Sequence, residues 1–136
     1  TNKLIRVLYS RPQLNGRDIT KIVPDGKLWR VGANEATELT LYAPMQVGGK
    51  VLDAGSYTIY AIPNLDKMTI IINKATHVWG SYSYNESLDV VRVDVPISES
   101  LDSLEAFSMA FEESGSDINL YAGWEIYRVM VKFKKS

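Results

Sequence analysis

The sequence has no cysteine and only one histidine. The absence of cysteine excludes disulfides, thiolate catalysis and cysteine-ligated metals, and it leaves the redox environment open. The histidine, His77, lies among residues typical of a loop, and no G-x-S-x-G elbow accompanies it to form a serine triad. Neither the H-E-x-x-H nor the EF-hand spacing occurs, and no phosphate-binding glycine loop is present. We therefore predict no metal site and no cofactor.

The chain also lacks an excess of charge of either sign and any long apolar run. Its 15 basic and 16 acidic residues give a net charge of -1, so nothing in the composition directs it to nucleic acid or to an anionic membrane surface. No apolar run approaches the ~18 residues that a spanning helix needs. The length of 136 residues predicts one domain, residues 1–136. Because the chain begins at Thr1, without a charged-then-apolar leader, we expect a trimmed chain or a removed signal peptide.

Alternation of apolar and polar residues with period two runs through most of the chain and predicts strands. The runs 57–62 and 69–73 are apolar on both faces, as buried central strands are. Gly48-Gly49 predicts a two-residue hairpin, and 103–111 suits a strand better than a helix. The pattern favours an all-β, single-domain antiparallel β-sandwich, jelly-roll-like, or a flattened barrel of roughly eight to ten short strands.

Polar and aromatic residues near the predicted turns form the candidate site. Arginine beside aromatic walls and amides is the usual lining of a site for a carboxylate, a phosphate or a sugar. A second interpretation stays open, in which the same residues form an internal network that ties loops together. The densest part is WRVGANEAT, residues 29–37. The candidate ligand-binding residues are Arg11, Arg17, Trp29, Arg30, Asn34, Glu35, Asn73 and Trp79.

A hydrolase is a third hypothesis, with Glu35 as general acid or base. Glu35 is the acidic residue set among aromatic and amide neighbours, but a glycosidase needs a second carboxylate across the cleft. Glu38 follows three residues later and, at odd spacing along a strand, would face the other side. The hydrolase hypothesis therefore rests on one half of a catalytic pair.

Seven blocks of the sequence together resemble a known bacterial family, domain of unknown function 2911. They are YSRP (9–12), GR (16–17), LWRVGANEAT (28–37), AGSYTIYAIP (54–63), IINK (71–74), WGSYSYN (79–85) and DVVRV (89–93). The resemblance runs from about Leu8 to Val95. One departure is DITKI (18–22), where family members commonly have an aromatic residue and a glycine, so we expect a different local turn.

The resemblance implies no established activity and supplies no catalytic residues. It implies an exported protein, located in the periplasm or at the cell surface. The first hypothesis is accordingly an exported binding module for a small polar, anionic or glycan ligand. A structural or envelope-interaction protein comes second and the hydrolase third.

Overall fold

The computed structural model describes residues 4–31, 36–76 and 84–135. Two antiparallel sheets pack face to face without closing into a barrel, which confirms the predicted all-β sandwich. The described residues contain β1 (Ile5–Leu8), α1 (Ile19–Ile22), β2 (Thr37–Leu41), β3 (Met45–Val47), β4 (Lys50–Leu52), β5 (Gly55–Asn64), β6 (Lys67–Asn73), a 3₁₀ turn (Glu86–Leu88), β7 (Asp89–Pro96), β8 (Ser98–Ser114) and β9 (Asp117–Lys135).

The first sheet has the order β1-β2-β5-β6-β7 and the second the order β4-β3-β9-β8. In β5, Tyr57, Ile59 and Ala61 point into the core between the sheets, while Thr58 and Tyr60 point to the outer face. All five of these side chains are buried, as the apolar run predicts. The outer face of the first sheet is therefore covered over its centre.

The predicted hairpin and the predicted strand at 103–111 are both confirmed. Val47 pairs with Lys50 across the Gly48-Gly49 turn. Gly48 and Gly49 have φ values of 59° and 80°, the left-handed region that glycine adopts without a steric penalty. Residues 103–111 lie within β8, which is longer than the short strands expected from the sequence.

β9 folds back on itself, so its two halves lie side by side in the second sheet. The Lys135 amide donates to the carbonyl oxygen of Ser116 at 3.1 Å, and the Lys132 ammonium lies 3.6 Å from the Asp117 carboxylate. The turn falls at Glu125, whose φ is 52°. This turn brings Trp124 and the residues after it to one end of the sandwich.

Residues 18–22, DITKI, contain α1, which alternation with period two did not predict. Asp18 is the N-cap and accepts a hydrogen bond from the Thr20 amide at 3.0 Å. Ile19 is buried against the core, so the helix fixes the chain across the same end of the sandwich.

Candidate functional site

The YSRP block fastens the chain to the free edge of β8. The Tyr9 hydroxyl donates to the Met109 carbonyl oxygen at 3.3 Å and accepts from the Met109 amide at 3.1 Å. Arg11 Nε donates to the Phe107 carbonyl oxygen at 3.2 Å. The Phe107 amide donates to the Pro12 carbonyl oxygen at 2.9 Å. Residues 9–14, named the edge strap from here on, thus occupy backbone groups that an edge strand otherwise presents to other chains.

Arg17 stabilises the turn that follows the edge strap. Its Nε donates to the Leu14 carbonyl oxygen at 2.9 Å and its Nη2 to that of Gln13 at 2.6 Å. The guanidinium groups of Arg11 and Arg17 therefore hydrogen-bond to the chain itself at the β8 edge. They do not meet Asn73, which lies on the outer face of the first sheet.

The described residues of the WRVGANEAT block, 29–31 and 36–37, are tied to the first sheet and to each other by hydrogen bonds. Trp29 and Ala61 exchange two backbone hydrogen bonds, at 2.7 and 2.9 Å. Val31 has φ of 58°, and its carbonyl oxygen accepts from the hydroxyl of Thr37, which is fully buried. The Thr37 amide also donates to the Arg30 carbonyl oxygen. Asn34 and Glu35 lie outside the described residues, as do His77 and Trp79.

Trp29 belongs to an aromatic cluster between the two sheets. Its ring lies 5.2 Å from that of Phe107 in edge-on geometry and stacks on Trp124 at 6.3 Å and 18°. Tyr9 of the edge strap packs edge-on against Phe107 at 5.7 Å. The Trp124 indole N–H donates to the Glu105 carbonyl oxygen at 2.9 Å, which fixes that ring. Tyr9 of the YSRP block and Trp29 of the WRVGANEAT block thus both pack against the buried ring of Phe107.

A cavity of about 200 Å³ lies beside this cluster at the end of the sandwich. Its walls are mainly apolar, and exposed residues such as Thr20 and Leu65 line its opening to solvent. A further void of about 30 Å³ lies deeper in the core and shares four lining residues with the cavity: Trp29, Met68, Ala122 and Val129. The principal wall residues are Trp29, Met68, Phe107, Trp124, Tyr127 and Val129.

Two charged residues also line the cavity, Asp25 and Arg128. Asp25 Oδ1 accepts a hydrogen bond from the Leu65 amide at 2.8 Å. Arg128 donates to the carbonyl oxygens of Glu125, Tyr127 and Asp102 at 2.8–2.9 Å, and it forms no salt bridge with the described residues. Three carbonyl groups therefore hold the guanidinium, and no carboxylate in the described part of the chain pairs with it. Its Nε lies beside Gly123, on the face of β9 opposite to that of Trp124.

A polar network occupies the outer face of the first sheet, centred on Asp89. The carboxylate of Asp89 accepts from Asn73 Nδ2 at 2.8 Å, from the Tyr84 hydroxyl at 2.6 Å and from Arg92 Nε at 3.0 Å. Asn73 is completely buried, and its Oδ1 accepts from the Ala75 amide at 2.9 Å. The side chain of Asn73 thus has partners for both its oxygen and its nitrogen within the chain.

The raised pKa values of the tyrosines in this network do not favour a general base there. Burial, and then the hydrogen bond to Asp89, raise the pKa of Tyr84 to about 12. Burial and the Asp89 charge also raise the pKa of Tyr60, whose ring lies 4.9 Å from that of Tyr84. Both hydroxyls therefore stay protonated at neutral pH, and the Asp89 carboxylate is shared among three donors.

Near this network, two buried polar atoms of the described chain have no hydrogen-bond partner: the Tyr60 hydroxyl and Arg30 Nε. Trp29 contacts the core, and successive side chains of extended backbone point to opposite faces. This alternation places Arg30 on the outer face, which also carries Tyr60. Arg30 and Asn73 of the predicted set consequently share one face, whereas Trp29 lies between the sheets.

Among the described residues that line the cavity, only Trp29 belongs to the predicted set, which did not include Phe107, Trp124, Tyr127 or Arg128. The three aromatic residues had a sequence signal, aromatic enrichment in the last two predicted strands, but that signal equally indicates core packing. In the described ranges, no group of three or more metal-ligating side chains is placed to hold an ion. No helix in those ranges is long and apolar enough to cross a bilayer.

The comparisons with known proteins give a family and no function. Searches of curated proteins and of solved structures return no match. A family model described as "Protein of unknown function (DUF2911)" matches residues 1–133, so the resemblance seen between Leu8 and Val95 extends over β8 and β9. With that match over nearly its whole length, the chain belongs to the DUF2911 family.

Proposed function

We propose that the protein is a binding module that takes a small molecule with an apolar ring into the cavity at the end of the sandwich. The observation that carries the proposal is the cavity of about 200 Å³ walled by Trp29, Phe107 and Trp124. An apolar cavity of roughly 150 Å³ takes up benzene. A volume of about 200 Å³ therefore suits a single ring with a small substituent.

The lining supports binding more than catalysis. Small-molecule sites are typically apolar clefts with a few placed polar groups, and this cavity has aromatic walls with two charged residues. The aromatic rings are fixed by mutual packing and by the bond from Trp124 to Glu105, so the site is formed before a ligand arrives. The sequence led us to expect a small polar, anionic or glycan ligand, whereas the apolar walls of the cavity favour a ligand with an apolar ring.

The experiment is a titration of the protein with benzyl alcohol, followed by amide and indole N–H resonances in two-dimensional NMR. The proposal predicts saturable shifts at Trp29 and Trp124. Ala122→Phe fills the cavity, because Ala122 lines it from β9, and should abolish the shifts. Ala110→Phe is the matched control, since Ala110 is exposed on β8, and should leave them unchanged. Shifts that do not saturate, or that survive in Ala122→Phe, contradict the proposal.

An envelope-interaction role is the second candidate, and the exposed part of β8 beyond the edge strap supports it. The strap covers β8 from Glu105 to Met109, whereas Phe111, further along β8, is 38% exposed. We also propose the exported location implied by the family resemblance. Fractionation of cells that express the full-length gene product tests that location, with recovery in the cytoplasm alone as the contrary result.

A further inference from the structure

We infer that the outer face of the second sheet carries an anion site, in which Arg11 and Arg128 together bind a phosphate group. The site is distinct from the cavity between the sheets, because it lies on the opposite face of β8 and β9. It goes beyond the proposed function and does not depend on it. The inference rests on a floor of two small residues with an arginine on either side.

Ser108 and Gly123 form the floor of this site. They pair across β8 and β9, and each is next to a buried aromatic residue of the core, Phe107 or Trp124, so both lie on the outer face. The Ser108 hydroxyl donates to the Ala106 carbonyl oxygen at 3.0 Å, which fixes it. A groove of about 470 Å³, open to solvent, is lined by this pair.

Arg11 reaches the floor from the edge strap. Gln13 pairs with Ala106, so Arg11, two residues earlier on an antiparallel segment, lies opposite Ser108. Its Nη2 donates to Ser108 Oγ at 2.9 Å and its Nε to the Phe107 carbonyl oxygen at 3.2 Å. The other N–H of Nη2 and both N–H groups of Nη1 have no acceptor among the described residues. Arg11 is thus anchored at the floor with donors to spare.

Arg128 covers the floor from the opposite side. A Cβ at position 123 would lie 2.8 Å from Arg128 Cδ and 3.1 Å from Arg128 Nε, so the side chain lies directly over Gly123. Its Nη1 donates to the carbonyl oxygens of Glu125 and Tyr127, and its Nη2 donates to that of Asp102. The Nε–H and the second N–H of Nη2 have no acceptor in the described part of the chain. This guanidinium is also fixed, with two donors unused.

The two guanidinium groups cover adjacent positions and have no counter-charge. Cβ positions that are directly opposite in an antiparallel pair lie about 4.5–5.5 Å apart, and Arg11 contacts Ser108 while Arg128 covers Gly123. Neither arginine forms a salt bridge with the described residues, and all their acceptors are neutral carbonyl or hydroxyl oxygens. Two like charges held this close repel each other, and an anion bound to both offsets the repulsion.

A phosphate group fits this arrangement better than a carboxylate does. It carries close to two negative charges near neutral pH and has three acceptor oxygens, so it can accept from both guanidinium groups at once. A carboxylate has a single charge, and one arginine is enough to bind both of its oxygens. The groove extends to Tyr121, whose exposed ring offers a surface for the organic part of a phosphate ester.

The test is an NMR titration of the protein with inorganic phosphate and, separately, with acetate, at constant ionic strength and mildly alkaline pH. We expect saturable shifts of the Ser108 and Gly123 amides and of the Arg128 Nε–H. Phosphate should bind about tenfold more tightly than acetate, because it gains a second charge-assisted contact. Phenyl phosphate distinguishes the source of the group: tighter binding than inorganic phosphate indicates an ester, and equal binding indicates free phosphate.

Three variants locate the site. Arg11→Gln and Arg128→Gln should each weaken phosphate binding by about tenfold. Arg17→Gln is the matched control, because Arg17 is also exposed and hydrogen-bonds to backbone carbonyl groups, those of Leu14 and Gln13. It makes the same change in net charge and should leave the affinity unchanged. Arg11 is exposed, so the comparison of Arg11→Gln with Arg17→Gln decides the question even if Arg128→Gln does not fold.

Three results would overturn the inference: no saturable binding of phosphate, equal affinities for phosphate and acetate, or an equal loss of affinity in Arg17→Gln and Arg11→Gln. None of these results concerns the cavity between the sheets, so the proposed function stands or falls separately.

Discussion

The hydroxyl of Tyr9 lies between the amide and the carbonyl oxygen of Met109, at 3.1 and 3.3 Å, and hydrogen-bonds to both. One side chain thereby replaces the neighbouring strand that Met109 would otherwise need at the edge of β8. The Tyr9 ring packs on Phe107, which in turn contacts Trp29 of the cavity wall. Tyr9 therefore does two things: its hydroxyl covers the edge of β8, and its ring supports a phenylalanine of the cavity wall.

Tyr9→Phe should lower the free energy of unfolding by about 1–2 kcal/mol, because it keeps the ring and leaves two backbone groups of Met109 without their partner. It should also increase self-association, since a bare edge pairs with other chains. Urea denaturation and sedimentation velocity measure the two effects. Tyr121→Phe is the control, since the Tyr121 side chain is exposed and its hydroxyl bonds to an exposed side chain, that of Glu112, and not to the backbone of a strand edge. Equal behaviour of the two variants would contradict the role of the edge strap.

Thr37→Val tests the hydrogen bond that joins Thr37 to Val31. Thr37 is completely buried, and its hydroxyl is the hydrogen-bond donor to the Val31 carbonyl oxygen. Valine has nearly the same shape, so the expected loss of about 1–3 kcal/mol in unfolding free energy reports the unpaired carbonyl. Thr40→Val, on the same strand with only a 3.4 Å contact to exposed Ser56, should cost less than about 0.5 kcal/mol. A similar small cost at both positions in chemical denaturation would show that the bond from Thr37 to Val31 contributes no stability.

The raised pKa of Tyr84 makes the stability depend on pH in the alkaline range. Below pH 10.0, the ordinary pKa, tyrosine is protonated in both the folded and the unfolded state. Between pH 10.0 and about 12 the unfolded state loses the proton first, so the contribution of Tyr84 to stability falls as the pH rises. The difference in unfolding free energy between the wild type and Tyr84→Phe should therefore shrink over this interval. A difference that stays constant or grows between about pH 9 and about pH 11, one unit either side of the ordinary pKa, would contradict this expectation.

Tyr60→Phe should stabilise the protein by about 1 kcal/mol, because it removes a buried hydroxyl that has no partner among the described residues. The ring contact with Tyr84 is kept. Thermal and urea unfolding of the variant measure the change. Destabilisation would show that the hydroxyl is hydrogen-bonded in solution, as it would be to a bound molecule on the outer face.

Local patterns in the sequence predicted the strands of the two sheets but not which distant residues meet in the cavity. Apolar alternation and the Gly48-Gly49 turn are properties of adjacent residues, so they indicated strands and a hairpin that the structure confirms. α1 was missed because its four residues are too few to show a helical period; an N-cap at Asp18 was its only local signal.

The candidate site depends on contacts between distant parts of the chain. Trp29 meets Phe107 and Trp124 only after two sheets have packed, and no spacing rule relates these positions. Arg11 and Arg17 were grouped with Trp29 by residue type, yet their hydrogen bonds are made to backbone carbonyls of the edge strap and β8. Whether any of the eight predicted residues binds a ligand stays a prediction.

The most direct measurement for the proposed function is a crystal structure of the protein exposed to iodobenzene, with the iodine located by its anomalous scattering. We expect one dominant iodine site inside the cavity, in contact with Trp29, Phe107 and Trp124. This site should be absent in Ala122→Phe. Iodine found only on the outer surface, with the space between these three rings empty, would contradict it.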